Sequence, residues 1–320
     1  MTEAVFRRGL SDRFVAALAR LAEEPGWWAD VLADTSLVIA VRDERLNVYW
    51  HGQSLFRVTQ DPTSGVIRAA IHPKYLIDPA LGGEVLLSGA SFDLGKLAQG
   101  GGFLSNYEGP ATLGILKRNA DRFAPGEKRG VHDIMLAHQD AVDIEVGLAA
   151  PKVPGQRTPV ARADIAMFED AGTRIRLSFW EAKPFTNQEL WPDRTGTTAV
   201  LGQIATYADL LRQHRDAVLQ SYRRVAQNLS TIAAMSHGRR TVSDRVARVA
   251  SGATLDLDPD SAVGLVVFGY GREEASSPRW RGHRAMLETA LGGRLRAAGS
   301  TSNLRLTKCS ASIDEAVEDA

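Results

Sequence analysis

The chain has 320 residues, with 38 Lys and Arg residues against 38 Asp and Glu residues, and 44% of its residues are hydrophobic. This composition is typical of a folded globular protein and excludes a disordered, fibrous or histone-like polyanion-coating chain. The single cysteine, Cys309, excludes an intrachain disulfide, a Cys-rich zinc site and a four-cysteine iron–sulfur cluster.

Apolar segments are short throughout the sequence. None approaches the roughly 20 apolar residues that cross a bilayer. Charged residues interrupt every apolar stretch of the N-terminus, so no signal-peptide core is predicted. A chain with one cysteine has no intrachain disulfide that a reducing compartment could break. A cytoplasmic protein without a membrane partner is therefore the expectation.

Residues 1–119 are predicted to form a smaller N-terminal α+β domain. An amphipathic helix ends at Pro25-Gly26, after which β-branched and aromatic residues dominate. The predicted elements are a helix over residues 11–24, two or three strands over 37–58, a strand over 66–71 and a glycine-containing loop over 100–106.

Residues 120–320 are predicted to form a second, larger domain of the α/β class. Its predicted elements are a helix over residues 127–141, an alternating strand over 142–148, a polar loop over 151–159, strands over 162–168 and 175–183, a helix over 198–213, a strand over 263–268 and a helix over 280–295. The order helix, three strands, helix indicates a sheet covered by helices. An acidic tail over 314–319 is expected to be frayed.

The two strands predicted over residues 162–168 and 175–183 bring two acidic residues together. Gly172-Thr173 suits a two-residue hairpin turn, with glycine at the position that requires positive φ in a type II′ turn. With the turn centred there, Asp164 lies directly opposite Glu181. Opposed residues of an antiparallel pair have Cβ atoms roughly 4.5 to 5.5 Å apart.

Two carboxylates at that distance repel each other unless a cation lies between them. Mg²⁺ and Mn²⁺ prefer oxygen ligands, and the backbone carbonyl of Ala182 would be a third ligand beside Asp164 and Glu181. Lys183 emerges on the same face as Glu181, because side chains alternate along a strand. Its ammonium group could orient or help to deprotonate a water and stabilise charge on a phosphate, so the pattern predicts phosphodiester hydrolysis.

The same residues resemble the motifs of the PD-(D/E)xK nuclease superfamily. The resemblance covers about residues 127–215 and extends to a Gln-x-x-x-Tyr element like that of RecB-type members. It rests on Asp164, the segment Glu181-Ala182-Lys183, Gln203 and Tyr207. It implies a restriction-endonuclease-like core, that is, a mixed central sheet flanked by helices.

The resemblance also implies roles for residues outside the hairpin. Gln203 and Tyr207, one helical turn apart, would contact the substrate backbone or brace Lys183. Glu127 stands on the helix where many members carry a further acidic metal ligand. Three other residues compete with Glu127 for that role: Asp133, Asp140 and Glu145.

The predicted function is that of a Mg²⁺- or Mn²⁺-dependent nuclease acting on DNA, in a setting such as bacterial defence or DNA repair. The alternative is a catalytically inactive nucleic-acid-binding or scaffold subunit with a nuclease-like fold. That alternative is motivated by an arginine-rich stretch over 212–248, in which Asp216 and Asp244 are the only acidic residues. A third hypothesis assigns to residues 1–119 the recognition of a protein partner or a nucleic-acid end, and a homodimer is left open.

Overall fold

The computed structural model describes residues 6–76, 85–95, 104–149, 160–194 and 196–306. The glycines at 100–102, the loop predicted over 151–159, Cys309 and the acidic tail lie outside these ranges. The described chain contains two sheets flanked by helices, which confirms the α/β class.

The first sheet is a six-stranded antiparallel meander in chain order. Its strands are β1 (Val38–Arg42), β2 (Arg45–Trp50), β3 (Gln53–Gln60), β4 (Ile67–Ile71), β5 (Val85–Ser88) and β6 (Ser91–Asp93). Three helices accompany it: α1 (Asp12–Ala22), α2 (Trp27–Ala33) and α3 (Pro110–Asp121). The predicted helix and strands of this region are confirmed, whereas α2, α3, β5 and β6 were not predicted.

The second sheet carries the predicted helix–strand–strand–strand–helix order. Its elements are α4 (Gly126–Ala137), β7 (Ala141–Ala149), β8 (Val160–Ala171), β9 (Arg174–Pro184), α5 (Ala199–Met235), α6 (Asp244–Ala250), β10 (Leu255–Asp256), β11 (Val263–Phe268), α7 (Arg272–Ser276), α8 (Pro278–Leu291) and β12 (Leu295–Ala298). The spatial order is β12-β11-β9-β8-β7, with β10 beside β9. Strands β7, β8 and β9 pair antiparallel, and β10, β11 and β12 run parallel to their neighbours. Every residue of β11 is buried, as its uninterrupted apolar sequence predicts.

Helix α5 has 37 residues and extends far beyond the predicted end at residue 213. Buried residues continue at helical spacing through Tyr222, Val225 and Ile232. The distal half reaches the N-terminal region, where the Asn228 side chain accepts a hydrogen bond from the backbone N–H of Leu10 at 2.9 Å. Described residues of both sheets belong to one hydrophobic cluster.

The arginine-rich stretch over 212–248 is mostly neutralised by tertiary contacts. Seven of its eight arginines bond to carboxylates or backbone carbonyls, and the eighth, Arg239, is exposed. Its carboxylate partners include residues distant in sequence: Asp12, Asp140, Asp170, Asp256 and Asp260. Most of these arginines fasten α5 and α6 to the rest of the fold, which reduces the positive charge that this stretch could offer to a nucleic acid.

No helix in the described part of the chain has an apolar stretch long enough to cross a membrane.

Candidate functional site

The site lies at the open end of the β8–β9 hairpin. Residues 172 and 173 form the turn, with a φ of +69° at Gly172, and the ladder runs from Ala171 opposite Arg174 to Ile165 opposite Trp180. The predicted register is confirmed. Asp164 and Glu181 are the next residues along the two strands and line the same cleft.

Asp164 is held against the backbone of the neighbouring strand. Its Oδ2 atom accepts a hydrogen bond from the N–H of Ala182 at 2.7 Å. Burial, followed by the negative charge of Glu181, raises the pKa of Asp164 to about 8. Removal from water penalises a charged carboxylate, and a second carboxylate nearby adds to that penalty. The negative charge of this pair is therefore incompletely compensated.

Glu181 and Lys183 are buried together, at 8% and 5% exposure. The Lys183 Nζ atom lies 2.9 Å from Glu181 Oε1 and 2.7 Å from Glu189 Oε2. Burial raises the pKa of Glu181 despite the opposing charge of Lys183. Burial alone would lower the pKa of Lys183, but its hydrogen bond to Glu189 and its contact with Glu181 raise it overall. Lys183 is therefore a stable ammonium group.

Glu189 is a site residue that the sequence interpretation missed. It lies in a short 3-10 turn, Gln188–Leu190, and its N–H donates to Asn187 Oδ1 at 2.8 Å. Its hydrogen bonds with Lys183 and with the Gln203 side chain lower its pKa, although burial opposes that shift. Gln203 lines the same cleft as Glu189 and Lys183. The only local sequence signal is the capping Asn187, which does not reveal that this turn folds back on β9.

Two of the four acidic residues considered for the additional ligand line the cleft, namely Glu127 and Glu145. Glu127 Oε2 accepts a hydrogen bond from Asn187 Nδ2 at 2.9 Å, and Glu145 Oε1 lies 2.8 Å from Lys128 Nζ. Asp140 instead pairs with Arg245, and Asp133 lies exposed outside the cleft lining.

Strand β7 departs from the predicted alternation. Its register shifts between Ala141 and Asp143, and Glu145 has a left-handed φ of +52°. This irregular backbone buries Asp143 and turns Glu145 toward the cleft. A bulge of this kind redirects side chains without breaking the sheet.

Tyr207 does not reach the cleft. It is 2% exposed, its hydroxyl donates to the carbonyl of Val146 at 3.0 Å, and its ring packs on Phe179. A direct contact between Tyr207 and substrate, expected from the Gln-x-x-x-Tyr resemblance, is therefore corrected. Tyr207 fixes α5 to β7 and thereby sets the position of Gln203, one turn earlier on the helix.

The Ala182 carbonyl points to the same side of β9 as Asp164. The N–H groups of Phe179 and Phe185 donate to carbonyls of β11, and backbone groups of successive residues alternate between the two neighbouring strands. Ala182 therefore presents its N–H and C=O to β8, as its bond with Asp164 shows.

The cleft has a volume of about 580 Å³, and five acidic and three basic side chains are among its described lining residues. Two carboxylates and a backbone carbonyl form a hard-oxygen donor set. The positive charge beside Glu181 is that of Lys183. Among the described residues, no group of three His, Cys, Asp or Glu side chains is arranged to hold a metal ion. No family model, curated protein or solved structure matches the chain.

Proposed function

We propose that the protein is a divalent-cation-dependent nuclease that hydrolyses phosphodiester bonds of DNA, with a restriction-endonuclease-like core formed by α4, β7, β8, β9 and α5. The observation that carries the proposal is the convergence of Asp164 and Glu181 beside Lys183 in one acidic cleft. A cleft of negative charge repels a phosphate backbone unless a cation is bound.

The donor set fits Mg²⁺ or Mn²⁺ by its chemistry. Asp164, Glu181 and the Ala182 carbonyl would hold the ion, and Glu127 stands at the cleft wall as a further carboxylate. When bound, such a cation supplies Lewis-acid polarisation of the phosphate and lowers the pKa of water. The raised pKa of Asp164 supports this fit, because a carboxylate that burial disfavours as an anion regains its charge beside a cation.

Lys183 is assigned an electrostatic role rather than that of a base. An ammonium group paired with Glu181 and Glu189 has no lone pair with which to accept a proton. It can donate hydrogen bonds to a phosphate oxygen and stabilise the charge that grows there during hydrolysis. Glu181 and Glu189 hold the ammonium group in place for that purpose.

The proposal is tested by measuring cleavage of single- and double-stranded DNA with Mg²⁺ and with Mn²⁺. Lys183→Ala should lower kcat by about 100-fold or more, in keeping with the loss of one preorganised charge at a transition state. Lys128→Ala is the matched control, since Lys128 lines the same cleft but pairs with Glu145 at its rim. Cleavage that survives Lys183→Ala would overturn the assignment.

Metal binding provides a readout that does not depend on activity. Calorimetric titration with Mn²⁺ should detect binding to the wild-type chain, and Asp164→Asn should abolish it. Glu189→Gln should retain Mn²⁺ binding, because Glu189 contacts Lys183 and is not placed among the metal ligands. Equal Mn²⁺ affinity of the wild type and Asp164→Asn would contradict the proposed site.

A second candidate function is nucleic-acid binding without cleavage. The observation that favours it is the position of Lys183, whose ammonium already bonds to both Glu181 and Glu189 and so compensates part of the charge that a cation would neutralise. Tight, salt-sensitive DNA binding together with no cleavage under any divalent cation would support this second function.

A further inference from the structure

A second pocket lies on the face of the second sheet opposite the candidate active site. Side chains alternate along β9, so Ser178 and Trp180 point away from the cleft that contains Glu181. The pocket has a volume of about 360 Å³, within the range of roughly 300–1,000 Å³ that small-molecule sites occupy. We call it the arginine pocket, because its lining includes the four arginines and two acidic residues Arg176, Arg245, Arg294, Arg296, Glu169 and Asp170.

The charges at the β8–β9 side of the arginine pocket are unequally compensated. Arg245 forms an ion pair with Asp170, so this arginine is neutralised. Arg176 lies opposite Glu169 in the hairpin ladder, but its side chain makes no ion pair or hydrogen bond with another described residue. Glu169 instead accepts a hydrogen bond from Ser178 Oγ at 2.5 Å. The half-buried guanidinium of Arg176 is therefore available to a ligand.

The two arginines on the other side of the pocket are held in place without being neutralised. Arg294 donates through Nε and Nη1 to the carbonyls of Leu291 and Val263. Arg296 likewise donates through Nε and Nη1 to backbone carbonyls only. A carbonyl orients a guanidinium group but does not cancel its charge. Neither Nη2 atom has an acceptor among the described residues.

Asp258 senses this positive charge from outside the pocket. Its hydrogen bond from Ser261 lowers its pKa, and the charges of Arg176 and Arg294 lower it further. Asp258 is exposed, and it forms no ion pair with either arginine in the described chain. The carboxylates present thus leave the arginine pocket positive.

Trp180 adds a donor of a different kind to the pocket. Its side chain is 3% exposed, and its Nε1–H group has no hydrogen-bond acceptor among the described residues. An indole N–H only donates, and a buried donor without an acceptor is costly. The guanidinium carbon of Arg296 lies 5.4 Å from the centre of the Trp180 ring. The arginine pocket therefore combines guanidinium and indole donors, which favours a ligand rich in acceptor oxygens.

The size of the uncompensated charge selects among such ligands. No carboxylate of the described chain pairs with Arg176, Arg294 or Arg296, and Glu169 offsets one of these three charges, so about two positive charges remain. A phosphomonoester carries about 1.5 to 2 negative charges at pH 7, whereas a carboxylate or a phosphodiester carries one. Arginine is also the side chain best suited to bind phosphate oxygens in pairs.

We propose that the arginine pocket is a binding site for a phosphomonoester group, held by Arg176, Arg294 and Arg296. The group belongs either to a small phosphorylated molecule or to the terminal phosphate of a nucleic-acid strand. This site is separate from the acidic cleft, lies on the opposite face of the sheet and does not depend on the proposed nuclease function.

The test follows the indole N–H signals of the six tryptophans by NMR in the ¹⁵N-labelled full chain, in EDTA so that no divalent cation recruits phosphate to the acidic cleft. Trp180→Phe identifies the Trp180 signal. Titration with deoxyadenosine 5′-monophosphate should shift this signal saturably, whereas deoxyadenosine, which lacks the phosphate, should leave it in place.

The decisive variant is Arg176→Ala, which removes a charge without removing a hydrogen bond or ion pair of the described chain. It should weaken binding of the nucleotide by about 10-fold or more, the effect of one lost charge-assisted hydrogen bond. Arg272→Ala removes the same charge from an exposed position of α7 outside the pocket lining and should change the affinity less than twofold. Arg176→Gln gives the same comparison if the alanine variant does not fold.

Oligonucleotides distinguish the two sources of the phosphate. A 5′-phosphorylated single strand of about ten nucleotides that binds more tightly than both its 5′-hydroxyl form and the mononucleotide would identify a strand end as the ligand. Equal binding of the two oligonucleotides, with a saturable response to the mononucleotide, would identify a small molecule. No shift of the Trp180 signal with any phosphorylated probe, or equal affinities of wild type and Arg176→Ala, would overturn the proposal. A protein that binds the mononucleotide here but cleaves no DNA keeps the pocket and loses only the nuclease function.

Discussion

Replacing Asp164 by asparagine should stabilise the metal-free protein at neutral pH while abolishing metal binding. In the folded chain, burial and the charge of Glu181 raise the pKa of Asp164 from 3.8 to about 8. At pH 7 the folded protein therefore keeps a proton that the unfolded chain has released. Asparagine is neutral in both states and can still accept the N–H of Ala182 through its amide oxygen.

Proton linkage gives the direction in which the free energy of unfolding changes with pH. A group with a raised folded pKa contributes stability that is complete below its unfolded pKa and is lost as the pH rises through the folded pKa. Each pH unit between these limits costs about 1.4 kcal/mol, so Asp164 lowers the free energy of unfolding by about 4 kcal/mol at pH 7 relative to acid solution. Glu181, whose pKa is also raised, acts with the same sign.

The assay is urea denaturation of the wild type and Asp164→Asn in EDTA at intervals from pH 4 to pH 8.5. The two proteins should have similar free energies of unfolding near pH 4, and the variant should be the more stable by about 4 kcal/mol at pH 7. Asp209→Asn, at an exposed position of α5, is the control for the loss of a carboxylate outside the cleft and should change the free energy of unfolding by less than about 1 kcal/mol. Adding Mn²⁺ should stabilise only proteins that retain Asp164, since a ligand stabilises the state that binds it.

A variant that is less stable than the wild type at pH 7 would refute this reasoning. So would a difference in stability that does not change with pH. Either result would mean that Asp164 is ionised in the metal-free protein and that Lys183 or the Ala182 N–H already compensates its charge.

Three further substitutions test the structural roles of named residues. Tyr207→Phe should lower the free energy of unfolding by about 1–2 kcal/mol, because a buried carbonyl loses its donor. The same variant should keep DNA cleavage within threefold of the wild type. A 100-fold loss of kcat with normal stability would instead indicate that Tyr207 contacts the substrate. Asp143→Ala should cost about 3–5 kcal/mol in urea denaturation, since it leaves buried arginine charge unpaired, whereas the exposed control Arg212→Ala should have no measurable effect. Gly264→Ala should cost about 1–3 kcal/mol, because a Cβ atom there would lie 2.5 Å from the Trp180 ring and 2.7 Å from a backbone carbonyl; a melting temperature equal to that of the wild type would contradict the close approach.

The β8–β9 hairpin could be predicted from sequence because its determinants are local. A two-residue turn at 172 and 173 fixes the register of the strands that it joins, and a period of two fixes which side chains share a face. The juxtaposition of Asp164 with Glu181, and of Glu181 with Lys183, follows from these rules alone. The buried strand β11 could likewise be predicted from its uninterrupted apolar residues.

Other features depend on contacts between distant segments, which local pattern does not encode. Glu189 joins the site because a turn after β9 folds back against Lys183. Tyr207 looked like a substrate contact from its spacing to Gln203, but the packing of α5 on β7 buries it. The arginines over 212–248 appeared to be free because their carboxylate partners lie elsewhere in the chain.

The sequence by itself determined the α/β class, the order helix, three strands, helix around the candidate site and the pair of carboxylates on two of those strands. Tertiary structure alone decided where the positive charge is available. Packing paired most arginines of α5 and α6 with carboxylates and left Arg45 of the first sheet without a carboxylate among the described residues. The physical reason is that turn geometry and side-chain alternation act over a few residues, whereas charge compensation depends on which surfaces burial brings into contact.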